Sequence, residues 1–197
     1  MTITPDMVKE LRQRTGSGIM NCKKALEEAD GDIEKAIIVL REKGLSTAAK
    51  KAGRTASEGL VESYIHGDGR IGVLLEINCE TDFVARNSEF KNFVHEIAMQ
   101  IAATNPLYIK PEDVPYDVLQ NEKTIIKKQV INEGKPENIA DKIVNGKIEK
   151  YYKENCLLEQ EYIRDSNKTI DSLLREMITK LGENIIIKRF ARFEIGE

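Results

Sequence analysis

The chain has 197 residues, 41% of them apolar, which suits one or two domains with a buried core and excludes disorder as the default. Charged residues make up 32%, but 30 Lys+Arg against 33 Asp+Glu leave a net charge of only -3. That balance excludes an overall basic footprint for nucleic acid and leaves room only for local patches. No window approaches the ~18 apolar residues of a membrane span. The opening Met1-Thr2-Ile3-Thr4-Pro5-Asp6 lacks a basic region followed by an apolar one, so a soluble, cytoplasmic protein is expected.

Cys22, Cys79 and Cys156 are far apart and odd in number, and no Cys-x-x-Cys spacing occurs, so reduced thiols are expected. Neither His66 nor His95 has a His, Cys or carboxylate at metal-ligand spacing, so neither a metal nor a cofactor is expected.

The first 44 residues read as three short helices. Thr4 is an N-cap with Pro5 at the first helical position, and Met7, Val8 and Leu11 follow at helical spacing to about Arg14. Thr15-Gly16-Ser17-Gly18 breaks this helix; Ile19, Met20, Cys22, Ala25, Leu26 and Ala29 give a second apolar face. Asp30-Gly31-Asp32 breaks the second helix and caps a third, with Ile33, Ala36, Ile37 and Leu40 on one face and Gly44 as a stop. A bundle this small is marginal alone and suits docking better than catalysis. Residues 46–57 turn to Ala, Lys, Gly, Thr and Ser, with Lys50, Lys51 and Arg54 as a basic run, and read as a solvated linker with room for a partly helical stretch.

Two β-rich runs, Leu60 to Ile65 and Ile71 to Ile77, flank His66-Gly67-Asp68-Gly69-Arg70 and predict a hairpin. It delivers the chain to a corner, Thr81-Asp82-Phe83-Val84-Ala85-Arg86-Asn87. Ser88 then caps a helix bearing Phe90, Phe93, Val94, Ile97, Ala98 and Ile101 on one face. Phe83 is an unusual residue for such a loop. Its ring either folds back as a local core plug, the ordinary fate of an aromatic, or stands out as an anchor for a partner.

Beyond Pro106 and Pro115, two charged helical runs, Val118 to about Asn132 and Glu137 to about Asn155, flank Glu133-Gly134-Lys135-Pro136 and predict an antiparallel helical arm. Leu119, Ile126 and Val130 would face Ile139, Ile143 and Ile148 across it. Asn167 or Thr169 opens a last helix through Leu173, Leu174, Met177 and Leu181, and Asn184 to Ile195 reads as a terminal strand of the hairpin's sheet. The continuous Ile185-Ile186-Ile187 suggests burial on both faces there. The expected fold is α+β: a three-helix bundle over 1–45, a basic linker over 46–57, and a core over 58–197. That core is an antiparallel sheet packed with helices, with a protruding helical hairpin at about 117–155.

Catalytic patterns are scarce. There is no Walker-type phosphate loop and no Gly-x-Gly-x-x-Gly between a strand and a helix, while Thr15-Gly16-Ser17-Gly18 follows a helix and is a weak phosphate candidate. With two histidines, one in a turn and one in a helix, a Ser/His/Asp site has little support. The chain reads as a non-enzymatic protein acting on another macromolecule.

Two long segments carry a resemblance. Leu11 to Leu26 (LRQRTGSGIMNCKKAL) and Glu76 to Arg86 (EINCETDFVAR) are similar to the two sequence signatures of the elongation factor Ts family. Tyr64-Ile65-His66-Gly67, Arg70-Ile71-Gly72-Val73, Glu133-Gly134-Lys135-Pro136 and Arg192 to Glu197 support it, in the family's order. The resemblance implies a guanine-nucleotide exchange factor for elongation factor Tu, with no covalent catalysis. It implies that the bundle is a ubiquitin-associated-like docking module, with Arg12, Met20, Lys23 and Lys24 as candidate contacts. Thr81, Asp82, Phe83 and Val84 would enter the partner's nucleotide site and disturb its Mg²⁺ and phosphate contacts. Lys51 and His66 are further candidate contacts. The family more commonly has Asp where this chain has Asn21.

The chain resembles the family's short members, which carry a single core half, so a homodimer through the core sheet is expected. From the residues alone, a ubiquitin-like-binding adaptor using the bundle, or an RNA-binding module using Lys50, Lys51 and Arg54, stay open as other classes. Neither gives the Thr81–Arg86 corner a role. Direct nucleic-acid binding and membrane association are not expected.

Overall fold

The structure, a computed structural model, describes residues 3–132 and 136–196. The Glu133-Gly134-Lys135 part of the expected interhelical turn, and Glu197, lie outside the described residues. Eight α-helices and a three-stranded antiparallel sheet form an α+β fold among the described residues. Two compact units result. The first takes in the chain up to Leu60, Ile77–Phe93 and Leu173–Ile186; the second takes in Val61–Glu76, Val94–Ser172 and the chain from Ile187.

In the first unit, α1 (Pro5–Thr15) starts where the Thr4 hydroxyl accepts the Met7 N–H at 3.4 Å, and it ends at Gly16, in the left-handed region at φ 66°. Helices α2 (Ile19–Glu28) and α3 (Ile33–Lys51) follow, the latter capped by Asp32, whose carboxylate accepts the Lys35 N–H at 3.0 Å. Leu11, Cys22, Ala25, Leu26, Ala29 and Ala36 form the buried centre, with Met7, Val8, Ile33, Ile37 and Leu40 packed against it. These are the apolar faces expected from the spacing.

The expected stop at Gly44 does not occur. Helix α3 runs through it to Lys51, so most of the expected linker's basic run is helical. Gly44 and Ala48 are both buried. A Cβ at Gly44 would stand 3.3 Å from the Thr179 hydroxyl of α8 (Ile170–Leu181), so this glycine serves a close helix approach.

In the sheet, β2 (Ile71–Cys79) lies between β1 (Glu58–His66) and β5 (Ile186–Glu194). Val73, Leu75, Ile77 and Cys79 alternate into the core. The hairpin turn places Gly67, Asp68 and Gly69 at φ 60°, 55° and 88°, and Arg70 N–H closes it on the His66 carbonyl at 3.1 Å. Ile185 and Ile187 are buried but Ile186 is exposed, so the continuous isoleucine run follows period-two alternation and the expected two-sided burial is not found.

Helix α4 (Asp82–Arg86) is a single extra turn before α5 (Ser88–Thr104). The cap of α5 is Asn87, whose side chain accepts the Glu89 N–H at 2.8 Å, rather than the expected Ser88. Phe90, Phe93, Val94, Ile97, Ala98 and Ile101 are buried as spaced.

In the second unit, α6 (Tyr116–Asn132) and α7 (Glu137–Asn155) form the arm. Ile126, Val130, Val144 and Ile148 pack along it, with Leu119, Ile143 and Tyr152 beside them. A short ladder, β3 (Glu161–Tyr162) with β4 (Asp165–Thr169), was not legible in the sequence. It is anchored by buried Gln100, whose amide donates to the Glu161 carbonyl at 3.1 Å and accepts the Ile163 N–H at 2.9 Å. Asn167 therefore lies in a strand, and Thr169 alone caps α8, accepting the Ser172 N–H at 3.2 Å.

Candidate functional site

Strand β2 ends by burying Cys79, and the next residues turn outward. The Cys79 thiol donates to the Thr81 carbonyl at 3.2 Å. Burial, followed by the nearby Glu183 carboxylate, pushes this thiol up to about 11, so at neutral pH it is a protonated donor and not a nucleophile. Thr81 then caps α4 by accepting the Val84 N–H at 3.4 Å. On that turn, the Asp82 carboxylate pairs with Arg86 at 3.1 Å, the favourable order for a carboxylate in a helix's first turn.

Phe83 is 83% exposed, the most exposed large apolar side chain among the described residues. The core-plug alternative is thereby removed. Leaving a phenyl ring in water forgoes roughly 1.5–3 kcal/mol of burial. Val84 and Asp82 are half-buried at its base, and Thr81 is exposed. The result is a short, doubly capped projection with an apolar tip, rigid at its base because Cys79, Thr81 and Asn87 all bond its backbone.

Sequence reasoning missed Glu183. Its carboxylate accepts the N–H groups of Glu80 and Thr81, both at 3.0 Å, and the Thr81 hydroxyl at 2.6 Å. An acidic residue after a helix-ending glycine reads as an ordinary surface residue, and no local pattern ties it to a segment a hundred positions upstream.

The bundle presents the other candidates on its surface. Arg12 lies in the last turns of α1, and Met20, Lys23 and Lys24 lie on the first turns of α2, all exposed, with Lys23 3.9 Å from Glu27. Exposed Ile19 adjoins Met20. Asn21 is exposed beside them. The Thr15-Gly16-Ser17-Gly18 turn closes on itself: the Thr15 hydroxyl donates to the Leu11 carbonyl at 2.7 Å and accepts the Ser17 N–H at 3.3 Å.

Lys51 is half-buried, and its ammonium donates to the Gly182 carbonyl. His66, in the second unit, stacks on Tyr64 and shares a hydrogen bond with its hydroxyl at 3.0 Å. Both therefore have partners within the chain. Among the described residues, no group of three or more His, Cys, Asp or Glu is placed to hold a metal ion, and no helix is long and apolar enough to cross a membrane.

A family model described as Elongation factor TS matches residues 6–197. Elongation factor Ts of Caldanaerobacter subterraneus subsp. tengcongensis is 70% identical over 195 residues, covering 99% of this chain and 98% of that protein. That of Thermoanaerobacter pseudethanolicus is 69% identical over 195 residues, covering 99% and 96%. That of Moorella thermoacetica is 60% identical over 190 residues, covering 96% and 94%. With the family model matched through both the bundle and the Phe83 projection, the chain belongs to the elongation factor Ts family of translation elongation factors.

Proposed function

We propose that this protein is a guanine-nucleotide exchange factor that binds elongation factor Tu in its GDP form, promotes GDP release and permits reloading with GTP. The observation that carries the reading is Phe83, an apolar ring held out in water on a braced turn. The family name supports the translational setting, in the cytoplasm, and the partner follows from it.

The mechanism is linkage, with no covalent step. A factor accelerates release only if it binds the nucleotide-free or Mg²⁺-disturbed partner better than the nucleotide-bound one, and the nucleotide weakens the factor by the same ratio. Equal binding to both states would shift nothing. Burying the Phe83 ring stabilises the disturbed state by roughly 1.5–3 kcal/mol, and each 1.4 kcal/mol is about tenfold. The exposed Arg12, Met20, Lys23 and Lys24 surface is the docking site that brings the projection to the nucleotide. Asp82, held by Arg86, would add a negative charge where phosphate and Mg²⁺ contacts are made. Lys51 and His66 carry less of this reading because both are engaged within the chain.

Self-association through the core sheet belongs to the same reading. Val61 and Ile65 of β1, Leu74 of β2 and Phe193 of β5 are exposed. Open apolar surface of this kind supports a second copy as its cover.

The test is stopped-flow release of a fluorescent GDP from elongation factor Tu with and without the protein. Acceleration by the wild-type chain is expected; an unchanged release rate would overturn the reading.

A further inference from the structure

The loop that follows α8 bonds to both parts of this machinery. On one side, Glu183 takes three donors at the corner: the backbone N–H groups of Glu80 and Thr81 and the Thr81 hydroxyl. Having donated its proton, that hydroxyl accepts the Val84 N–H and caps the turn bearing Phe83. Asn184 donates its backbone N–H to the Glu80 carboxylate at 2.6 Å. On the other side, the Asn184 side-chain amide donates to the Arg54 carbonyl at 2.8 Å, just past α3, and Lys51 in the last turn of α3 donates to the Gly182 carbonyl. Arg54 closes the circuit, 3.6 Å from the Glu80 carboxylate.

We propose that Glu183 is a positioning residue for Phe83, and that Gly182, Glu183 and Asn184 form the clasp that holds the corner in place against the end of the docking bundle. The proposal rests on the reading that the Thr81–Val84 corner acts in the partner's nucleotide site. A ring delivered by a docked module acts at one place only if the span between module and ring is set in advance; otherwise ordering it consumes the binding energy it would supply. A carboxylate receiving three donors suits that task because bonds to an ionised acceptor are stronger and more directional than neutral ones. Thr81 is exposed, so water can replace the carboxylate when it is removed, and the fold survives while the set geometry is lost.

Glu183→Ala and Glu183→Gln separate positioning from stability. The glutamine oxygen can still accept both backbone N–H groups; alanine offers nothing. In Glu183→Ala, amide hydrogen exchange at Glu80 and Thr81 is expected to rise by about tenfold or more while bundle-core amides such as Leu26 keep their protection.

With elongation factor Tu and fluorescent GDP, the maximal release rate should fall about tenfold with the half-saturating concentration within about twofold, a loss of about 1.4 kcal/mol confined to the released state. Glu183→Gln, which keeps an acceptor for the two backbone N–H groups but loses the charge and the oxygen that accepts the Thr81 hydroxyl, should recover part of both effects. Unchanged exchange at Glu80 and Thr81, a maximal rate unaffected by their loss of protection, loss of protection in the bundle core as well, or a glutamine variant as impaired as alanine would each overturn the proposal. If the wild-type chain does not accelerate release, the exchange-factor reading fails, while the hydrogen-exchange result still decides whether Glu183 holds the corner.

Discussion

The Thr179 hydroxyl lies 3.3 Å from the Gly44 carbonyl, across the contact between α3 and α8, and is also 2.9 Å from the Arg175 carbonyl of its own helix. Gly44 is thus a glycine that packing requires inside a helix. Gly146, inside α7, is the opposite case, since a Cβ there would meet nothing within 4 Å. Gly44→Val should lower stability by about 1–3 kcal/mol through overpacking. Gly146→Ala should raise it by about 1 kcal/mol through helix propensity. Thermal unfolding followed by circular dichroism reads both; equal effects at the two sites would contradict this account.

Phe83→Ala removes a ring that makes almost no contribution to the fold. Its thermal midpoint should match the wild type, a change within about 0.5 kcal/mol. Its acceleration of GDP release from elongation factor Tu should drop by about tenfold to a hundredfold. A variant that accelerates release as well as the wild type would remove Phe83 from the proposed mechanism.

The thiols of Cys79 and Cys156 are both pushed up to about 11, burial being the chief cause in each. A thiol whose pKa is raised by folding favours the protonated native state. The stability it contributes is fully present below its ordinary value of 9.0 and is lost as pH rises through about 11. Urea denaturation repeated between pH 8 and pH 11 should show stability falling across that window, less steeply in a Cys79→Ala, Cys156→Ala variant. At pH 8 the native chain should react slowly with an aromatic disulfide reagent, and all three cysteines, buried in the fold, should react at once in urea.

If the open sheet face pairs with a second copy, light scattering at micromolar concentration should give twice the mass of the 22.3 kDa chain. Phe193→Glu, at a position 72% exposed, should return it to one chain with an unchanged circular dichroism spectrum, its thermal midpoint falling only by the stabilisation that association supplied. A monomeric wild type would count against the dimer and leave the exchange mechanism untouched.

The local elements were readable because their causes are local. Thr4 with Pro5, Asp32 after a glycine, and Gly67-Asp68-Gly69 each determine a cap or turn through hydrogen bonds and dihedral preferences within a few residues. The apolar spacing of α5 and of the α6–α7 arm identified most of the side chains that are buried. Reading failed at Gly44, where the same residue ends a helix in one context and permits a helix contact in another. It failed again at β3 and β4, whose polar residues carry no strand pattern and pair around the buried amide of Gln100.

The sequence by itself determined the bundle, the hairpin and the corner with its misplaced aromatic, because helix caps, glycine turns and hydrophobic periodicity act over short separations. Whether Phe83 is plug or projection, and that Glu183 holds its base, only the tertiary structure decided. Both depend on which groups meet across a hundred residues of chain, and a carboxylate's donors are fixed by where the fold brings it.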